Sequence, residues 1–213
     1  ELVDMTGRKH LSGLTIHNYF IAKSVDLTRP DGIIAVVVSH YFMDAGKSTA
    51  RKYISERTRF LGAIRLPNTA FTKNAGTEVT TDIVFLQKLP EIDFGSKATK
   101  DAAKIWTEIG TVPDPLGGED IPINRYFVEH PEMLLGRMDR SGSMRGSAEA
   151  TLSPLPDMKL SEAISKAIKN LPEKIYVHES VSRTRTFEKS EAVRLDNPEV
   201  DEGGYFVEDG KVF

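Results

Sequence analysis

Apolar residues in the first part of the chain follow more than one spacing. Residues 14–27, LTIHNYFIAKSVDL, place apolar side chains on more than one face of a helix, as expected of a helix packed between other elements. The turn residues at 29–32 then end that helix. Residues 33–39, IIAVVVS, are a β-branched run without alternation. This pattern predicts a strand buried on both faces at the centre of a largely parallel sheet.

A second helix and two further strands follow. Residues 47–57 predict a polar helix, and residues 60–67 and 80–88 predict two strands that are about a hairpin apart. The order from residue 14 is therefore helix, strand, helix, strand, strand. This alternation predicts an α/β fold.

The composition changes after the last of these strands. Residues 90–158 hold most of the eleven prolines, many glycines and one helical candidate at 99–109, so we expect an extended arm lying over a partner surface. Residues 160–171 predict an amphipathic C-terminal helix, which Pro172 ends. We therefore divide the chain into a core, an arm, and a helix with the start of a following region, which are residues 1–89, 90–158 and 159–213.

The overall composition excludes several classes of protein. The formal charge of −3 argues against a wholly basic nucleic-acid wrapper, although a local basic face can remain. No stretch approaches the roughly 20 apolar residues of a membrane span, and no signal-peptide pattern opens the chain. The absence of cysteine fits a reducing cytoplasm. Because the chain opens on Glu1 and closes three residues after the turn signal Asp209-Gly210, we expect it to be part of a longer polypeptide.

Gly46-Lys47-Ser48-Thr49 follows a strand and opens a helix, as the end of a phosphate-binding loop would. That motif needs a glycine five positions before Gly46, so that backbone N–H groups can surround a phosphate, and this position is Tyr41. We therefore expect the start of a surface helix here. A P-loop-like nucleotide hydrolase is kept as an alternative.

The five histidines show no paired-ligand spacing, so we expect no metal site. No serine elbow, dinucleotide fingerprint or carboxylate pair assigns a catalytic residue. His40 comes just after the predicted central strand, where open α/β sheets bind ligands. His17, Asn18 and Tyr19 could offer polar groups to a cofactor from a helix beside that crevice, or they could pack or face solvent. The residues alone leave both interpretations open.

The segment FTKNAGTEVTT, between two predicted strands, is the strongest local signal. Phe71 is followed by Lys73, Asn74, Gly76 and Thr77. An aromatic ring with such neighbours can stack a nucleobase, a contact worth about 1–3 kcal/mol, while the polar groups hold sugar and phosphate. The alternative is that Phe71 packs under the hairpin as part of the core.

Two stretches, LTIHNYFIAKSVDLTRPDGIIAVVVSHYFMD and ISERTRFLGAIRLPNTAFTKNAGTEVTTDIVFLQK, resemble the C-terminal half of the catalytic domain of class I S-adenosylmethionine-dependent DNA adenine methyltransferases. The resemblance is greatest to the large phage and mobile-element proteins that join such a domain to a helicase, the anti-restriction group. It extends more distantly to the modification subunits of type I restriction systems. INRYFVEHPEMLLGRMDR and NLPEKIY continue the resemblance as far as residue 176.

This resemblance implies a Rossmann-like mixed sheet that ends in an antiparallel hairpin, with 33–39, 60–67 and 80–88 as its last three strands. It also implies that a target adenine is flipped out of double-stranded DNA and that its exocyclic amine attacks the methyl group of S-adenosylmethionine. Phe71 matches the family's aromatic residue that packs against the flipped base. The other implied site residues are Lys73, Asn74, Gly76 and Thr77 in the base-pocket loop, and His17, Asn18 and Tyr19 lining the cofactor pocket.

Two motifs of the family are not in this sequence: the Asn/Asp-Pro-Pro-aromatic motif that holds the target amine, and the glycine-containing motif that cradles the cofactor. The resemblance therefore implies a fragment that is inactive by itself and binds S-adenosylmethionine weakly or not at all. Its implied partners are double-stranded DNA and the rest of a large polypeptide that includes a helicase. The alternative is a non-catalytic relic or a module that docks DNA or a helicase.

Overall fold

A computed structural model describes residues 11–46, 49–142 and 149–176, together with the backbone of two short strands near the C-terminus. Glu1–Val177 forms one compact unit, and a three-stranded sheet lies in it. The predicted order of helix, strand, helix, strand, strand is confirmed, as is the α/β class, with two short helical turns added. The elements in chain order are α1 (Ile16–Leu27), β1 (Ile33–Ser39), α2 (Tyr41–Asp44), α3 (Thr49–Ser55), β2 (Thr58–Leu66), α4 (Thr72–Ala75) and β3 (Thr81–Lys88).

Strand β3 lies between β1 and β2 and is antiparallel to both. The strands β2 and β3 therefore form the predicted hairpin, while β1 and β2 run in the same direction. Within the described residues β1 pairs with β3 alone, so the parallel neighbours expected for β1 are not among them. Val37 is 56% exposed and Ile33 is 37% exposed, which differs from the prediction that both faces of this strand are buried.

Helix α1 contacts both β1 and α3, and it is apolar on two sides. The buried side consists of Tyr19, Ile21, Ala22 and Val25. A second apolar side, made of Ile16, Phe20 and Leu27, is exposed. The pattern of residues 14–27 predicted these two apolar faces, but within the described residues one of them has no covering element.

Residues 90–158 fold onto the sheet, whereas the sequence predicted an extended arm. The elements of this segment are α5 (Lys97–Thr107), β4 (Ile109–Val112), β5 (Ile121–Asn124), α6 (Arg125–Glu129), β6 (Arg137–Gly142) and β7 (Glu149–Ser153). The pairs β4–β5 and β6–β7 are antiparallel. Trp106 is fully buried, and its ring stacks on Phe60 of β2 with centroids 5.1 Å apart. Large apolar side chains spaced among the prolines and glycines of this segment thus pack against the chain's own sheet.

The predicted C-terminal helix is confirmed as α7 (Leu160–Ile168), and the residues after it lie against the sheet. Gly62 sits at a bulge in β2 with φ +143°, and a Cβ atom there would come within 2.5 Å of Leu171 Cδ2. Further along, Gln87 Nε2 donates to the carbonyl of Ile175 at 3.0 Å. The absence of a side chain at Gly62 therefore allows the close approach of this segment.

His178–Phe213 forms a second compact unit. In it, strands β8 (Val207–Glu208) and β9 (Lys211–Val212) pair antiparallel, as the turn signal between them predicted. The turn residues Asp209 and Gly210 themselves lie outside the described residues.

Candidate functional site

A cleft of about 250 Å³ opens at the carboxyl end of β1. Three segments line it: the residues that follow β1, the loop between β2 and β3, and the β6–β7 pair. Because β1 and β3 are antiparallel, the end of β1 meets the start of β3, and the backbone N–H of His40 donates to Thr80 O at 3.1 Å. The loop that precedes β3 is thereby brought beside His40, the histidine that the sequence placed at the ligand-binding end of the sheet.

The loop between β2 and β3 contains the predicted base-pocket residues. Phe71 precedes α4, is half-buried against the hydrophobic core and does not line the cleft. Lys73 and Asn74 are exposed on α4. Gly76 ends that helix in the left-handed conformation, with φ 62°, and it lines the cleft together with Thr77. The structure therefore brings two of the five predicted loop residues to the cleft, and the other three lie in the adjoining part of the same loop.

The predicted cofactor residues lie on helix α1. His17 Nε2 lies 3.4 Å from Thr15 Oγ1, and Tyr19 is buried with its hydroxyl accepting from Lys23 Nζ at 2.8 Å. Asn18 has a buried side-chain oxygen with no hydrogen-bond partner among the described residues. The lining of the cleft does not include these residues, so the structure does not join them to the β2–β3 loop.

A buried charged cluster is connected to the cleft through His40. Arg65 of β2 and Asp82 of β3 are fully buried and directly opposite each other, with Arg65 Nε donating to Asp82 Oδ1 at 2.7 Å and Arg65 Nη2 to Oδ2 at 2.9 Å. Arg65 Nη2 also donates to Asp44 Oδ1 at 2.9 Å. On the other side of this carboxylate, His40 Nδ1 lies 3.1 Å from Asp44 Oδ2. Two carboxylates therefore share one guanidinium, and Asp44 also orients the imidazole of His40.

The charge state of the cluster follows from burial and pairing. Burial acts to raise the pKa of Asp44, but Arg65 and His40 outweigh it and lower that pKa to about 2. Burial raises the pKa of Asp82, whose carboxylate is removed from water completely. Because Asp44 stays ionised, its carboxylate can only accept in this contact, and Nδ1 of His40 is the donor.

Sequence reasoning missed this cluster, although a signal for it was present. Arg65 and Asp82 are the charged residues inside the predicted strands 60–67 and 80–88, and charged residues are rarely buried without a partner. A strand pattern with one internal charge in each of two consecutive strands therefore favours a cross-strand pair. That Asp44 joins the pair depends on the fold of the turn after β1, for which the sequence holds no comparable signal.

The β6–β7 pair supplies the remaining wall of the cleft through Ser141, Glu149 and Thr151. Tyr41 Oη donates to Glu149 Oε2 at 3.2 Å, and the rings of Tyr41 and His40 lie 4.1 Å apart between centroids. Tyr41 and Glu149 are separated by 108 positions in the chain. Local patterns could not predict a contact between residues so far apart.

The phosphate-loop alternative is not favoured by the local geometry. Tyr41 begins helix α2, so a helical turn occupies the place where a glycine-rich loop would surround a phosphate. Thr49 begins α3, and Lys47 and Ser48 lie outside the described residues.

In the part of the chain that the structure describes, no three His, Asp or Glu side chains come together in a way that could hold a metal ion. No helix among the described residues is long and apolar enough to cross a bilayer.

No protein-family model matches the chain, and neither the curated proteins nor the solved structures include a significant match.

Proposed function

We propose that this chain is the C-terminal half of the catalytic domain of an S-adenosylmethionine-dependent DNA adenine methyltransferase, the half that closes the pocket for a flipped adenine. The observation that carries the proposal is the cleft between the residues after β1 and the β2–β3 loop. It lies at the end of the sheet where open α/β folds bind ligands. It also uses the loop whose sequence resembles the base-contacting loop of the family.

The chemistry of the cleft suits an uncharged ring. Its described lining contains imidazole, phenol, amide and hydroxyl groups, the carboxyl groups of Glu78 and Glu149, and no lysine or arginine. A phosphate would lack a cationic partner among these residues, whereas a base offers both a ring to stack and edges to hydrogen-bond. Lys73, exposed in the adjoining helix α4, is suited to a phosphate of the DNA backbone outside the cleft.

The uncovered side of the sheet also supports the proposal. Strand β1 has one described neighbour, and Val37 and Ile33 on it are exposed, as is the second apolar side of α1. Large exposed apolar side chains on an unpaired strand and on a helix are often covered by another protein segment. In the proposed fold, further strands and helices precede residues 33–39, and they would pair with the open edge of β1 and cover this surface.

The fit to S-adenosylmethionine is partial. When bound, the cofactor supplies the methyl group that the adenine amine attacks. Asn18 has a buried oxygen without a described partner, which fits a hydrogen-bond donor of a ligand, while His17 and Tyr19 already contact Thr15 and Lys23. The residues of α1 can therefore supply one edge of a cofactor site, and the glycine-containing motif that would cradle the cofactor must come from outside this chain.

The proposal is tested with a longer polypeptide that includes the residues preceding Glu1. We expect an Asn/Asp-Pro-Pro-aromatic motif and a glycine-containing motif in that sequence, and transfer of a labelled methyl group from S-adenosylmethionine to the exocyclic amine of adenine in duplex DNA. The control is the same polypeptide with the Asn or Asp of that motif changed to Ala, which should not transfer the label.

The alternative is a non-catalytic module that docks DNA or a helicase. It would be favoured if neither motif precedes Glu1, or if the longer polypeptide binds DNA and S-adenosylmethionine without methylating adenine. Either result would contradict the enzymatic proposal.

A further inference from the structure

The β2–β3 loop buries little of its own surface. Residues 72–78 are all exposed, and the short helix α4 within them has no buried residue. Phe71, just before α4, is half-buried against the core. A segment with so few buried contacts is easily displaced, so its position depends on what holds its two ends.

One residue of β7 is bonded to both ends of this loop. At the start of the loop, the N–H of Asn68 donates to Leu152 O at 2.8 Å. At its end, the N–H of the same leucine donates to Thr80 Oγ1 at 2.9 Å. Leu152 is fully buried and Thr80 is 3% exposed. Because a buried hydrogen bond is costly to lose, these two contacts hold the ends of the loop together.

Thr80 also contacts the other two segments that line the cleft. Its carbonyl accepts from the N–H of His40 at 3.1 Å, just after β1. Its Oγ1 lies 3.0 Å from Oγ1 of Thr151 in β7, in addition to accepting from Leu152. A hydroxyl can donate one hydrogen bond and accept two, so Oγ1 can make both contacts at once. The three segments that line the cleft therefore meet at this residue.

The β6–β7 pair is itself fixed to the core independently of the loop. The N–H of Leu135, which precedes β6, donates to the carbonyl of Arg65 in β2 at 2.9 Å. Met138 of β6 is paired with Leu152 of β7, and both side chains belong to the hydrophobic core. Strand β7 therefore offers the loop a rigid attachment.

We propose that the β6–β7 pair is a clamp that positions the β2–β3 loop at the cleft, and that Thr80 is the positioning residue through which it acts. This inference rests on the proposed function, because that loop would contact the flipped base. The hydroxyl of Thr80 acts through the loop, since its contacts are with Leu152 and Thr151 of the clamp. Residues 137–153 thereby take part in the site without having to contact the base.

Amide hydrogen exchange in this chain, followed by NMR, tests the clamp directly. Valine has nearly the same shape as threonine but lacks the hydroxyl, so Thr80→Val removes both side-chain contacts. We expect the amides of Asn68 and Leu152 to exchange about 10- to 100-fold faster in this variant. The amide signals of Gly76 and Thr77 should also shift. Thr80→Ser keeps the hydroxyl and should behave like the unaltered chain.

Thr58→Val is the matched control. Thr58 is also 3% exposed, and its hydroxyl donates to Ile54 O at 2.8 Å, away from the loop. This variant should leave the exchange of Asn68 unchanged. In both valine variants, slow exchange at Val84 in the centre of β3 shows that the sheet has kept its fold. Unchanged exchange of Asn68 in Thr80→Val, or equal acceleration in Thr58→Val, would overturn the clamp.

The longer polypeptide tests whether the clamp serves the reaction. If it methylates adenine as proposed, Thr80→Val should lower kcat/KM for duplex DNA by about 10-fold, because a displaced loop holds the base less well. KM for S-adenosylmethionine should stay the same, Thr80→Ser should restore kcat/KM, and Thr58→Val should change neither. An unchanged kcat/KM in Thr80→Val would overturn the positioning role.

The two experiments separate this inference from the proposed function. If the longer polypeptide methylates adenine but Asn68 exchanges equally slowly in Thr80→Val, the proposed function stands without the clamp. If Thr80→Val releases the loop and the longer polypeptide methylates nothing, the clamp stands and the enzymatic proposal fails.

Discussion

Arg65 and Asp82 face each other across the β2–β3 hairpin as a fully buried pair, with two hydrogen bonds of 2.7 and 2.9 Å between the guanidinium and the carboxylate. The third member, Asp44, comes from the turn after β1 and also accepts from the N–H of Asn124 at 2.9 Å. Through Asp44, the hairpin is therefore connected to the end of β1 and to the segment that follows α5. His40 links this cluster to the cleft, so the same charges support the candidate site.

Arg65→Lys should destabilise the protein by about 2–4 kcal/mol, because lysine keeps the charge but cannot form the two parallel hydrogen bonds to Asp82 and reach Asp44. Arg59→Lys is the matched control, since Arg59 is exposed in the same strand. Urea unfolding measures both free energies. Equal stabilities for the two variants would show that the planar geometry of Arg65 contributes nothing beyond its charge.

In Asp44→Asn, the free energy of unfolding should depend less on pH at acid pH than it does in the unaltered protein. The folded pKa of Asp44 is lowered from 3.8 to about 2. A carboxyl group whose pKa is lower in the folded than in the unfolded protein stabilises the fold at pH values above its unfolded pKa. This stabilisation is lost as the pH falls through the folded pKa. The unaltered protein should therefore lose about 2 kcal/mol more than the variant between about pH 5 and pH 2. Asp101→Asn, at an exposed aspartate, should keep the original profile; an identical profile in Asp44→Asn would contradict the lowered pKa.

Gly62→Ala should destabilise the protein by about 1–3 kcal/mol, because the new methyl group would meet Leu171 Cδ2 at 2.5 Å and Tyr126 Oη at 3.0 Å at a φ of +143°. The control is Gly46→Ala, where a Cβ meets nothing within 4 Å and the change should stay within about 0.5 kcal/mol. Thermal unfolding compares the two variants. Similar unfolding temperatures would mean that the residues after α7 do not press on the sheet at Gly62.

If the longer polypeptide methylates adenine as proposed, Phe71→Ala in it should slow methylation. The same variant should weaken the fluorescence of 2-aminopurine placed at the target position, because the ring would help to hold the base outside the duplex. Phe71 is half-buried against the core, so the variant should also lose stability. Phe94→Ala, at another half-buried aromatic residue, controls for that loss and should leave methylation unchanged. Normal kinetics and base extrusion in Phe71→Ala would assign Phe71 to the core alone.

Calorimetry of the isolated chain with S-adenosylmethionine should detect weak binding or none, because the glycine-containing cofactor motif is not in this sequence. The longer polypeptide should bind the cofactor measurably under the same conditions. Micromolar binding by residues 1–213 alone would contradict the proposal that this chain holds half of the cofactor pocket.

Local sequence patterns were sufficient to predict the elements around the sheet. The β-branched run at 33–39, the hairpin strands at 60–67 and 80–88, and the amphipathic helix near 160–171 were each confirmed, because periodicity and propensity act over short stretches of chain. The fold of residues 90–158 could not be predicted in this way. Its prolines and glycines indicated an irregular segment, and the burial of Trp106 against Phe60 depends on a sheet surface formed earlier in the chain.

The sequence by itself determined the α/β class, the order of the first elements and the loop that carries Phe71, Gly76 and Thr77. The tertiary structure decided which residues meet at the cleft. It paired Arg65 with Asp82 through strand register, and it joined Tyr41 to Glu149 across 108 positions. The physical reason is that secondary structure follows from neighbouring residues, whereas a site depends on contacts whose formation requires the whole core to be packed.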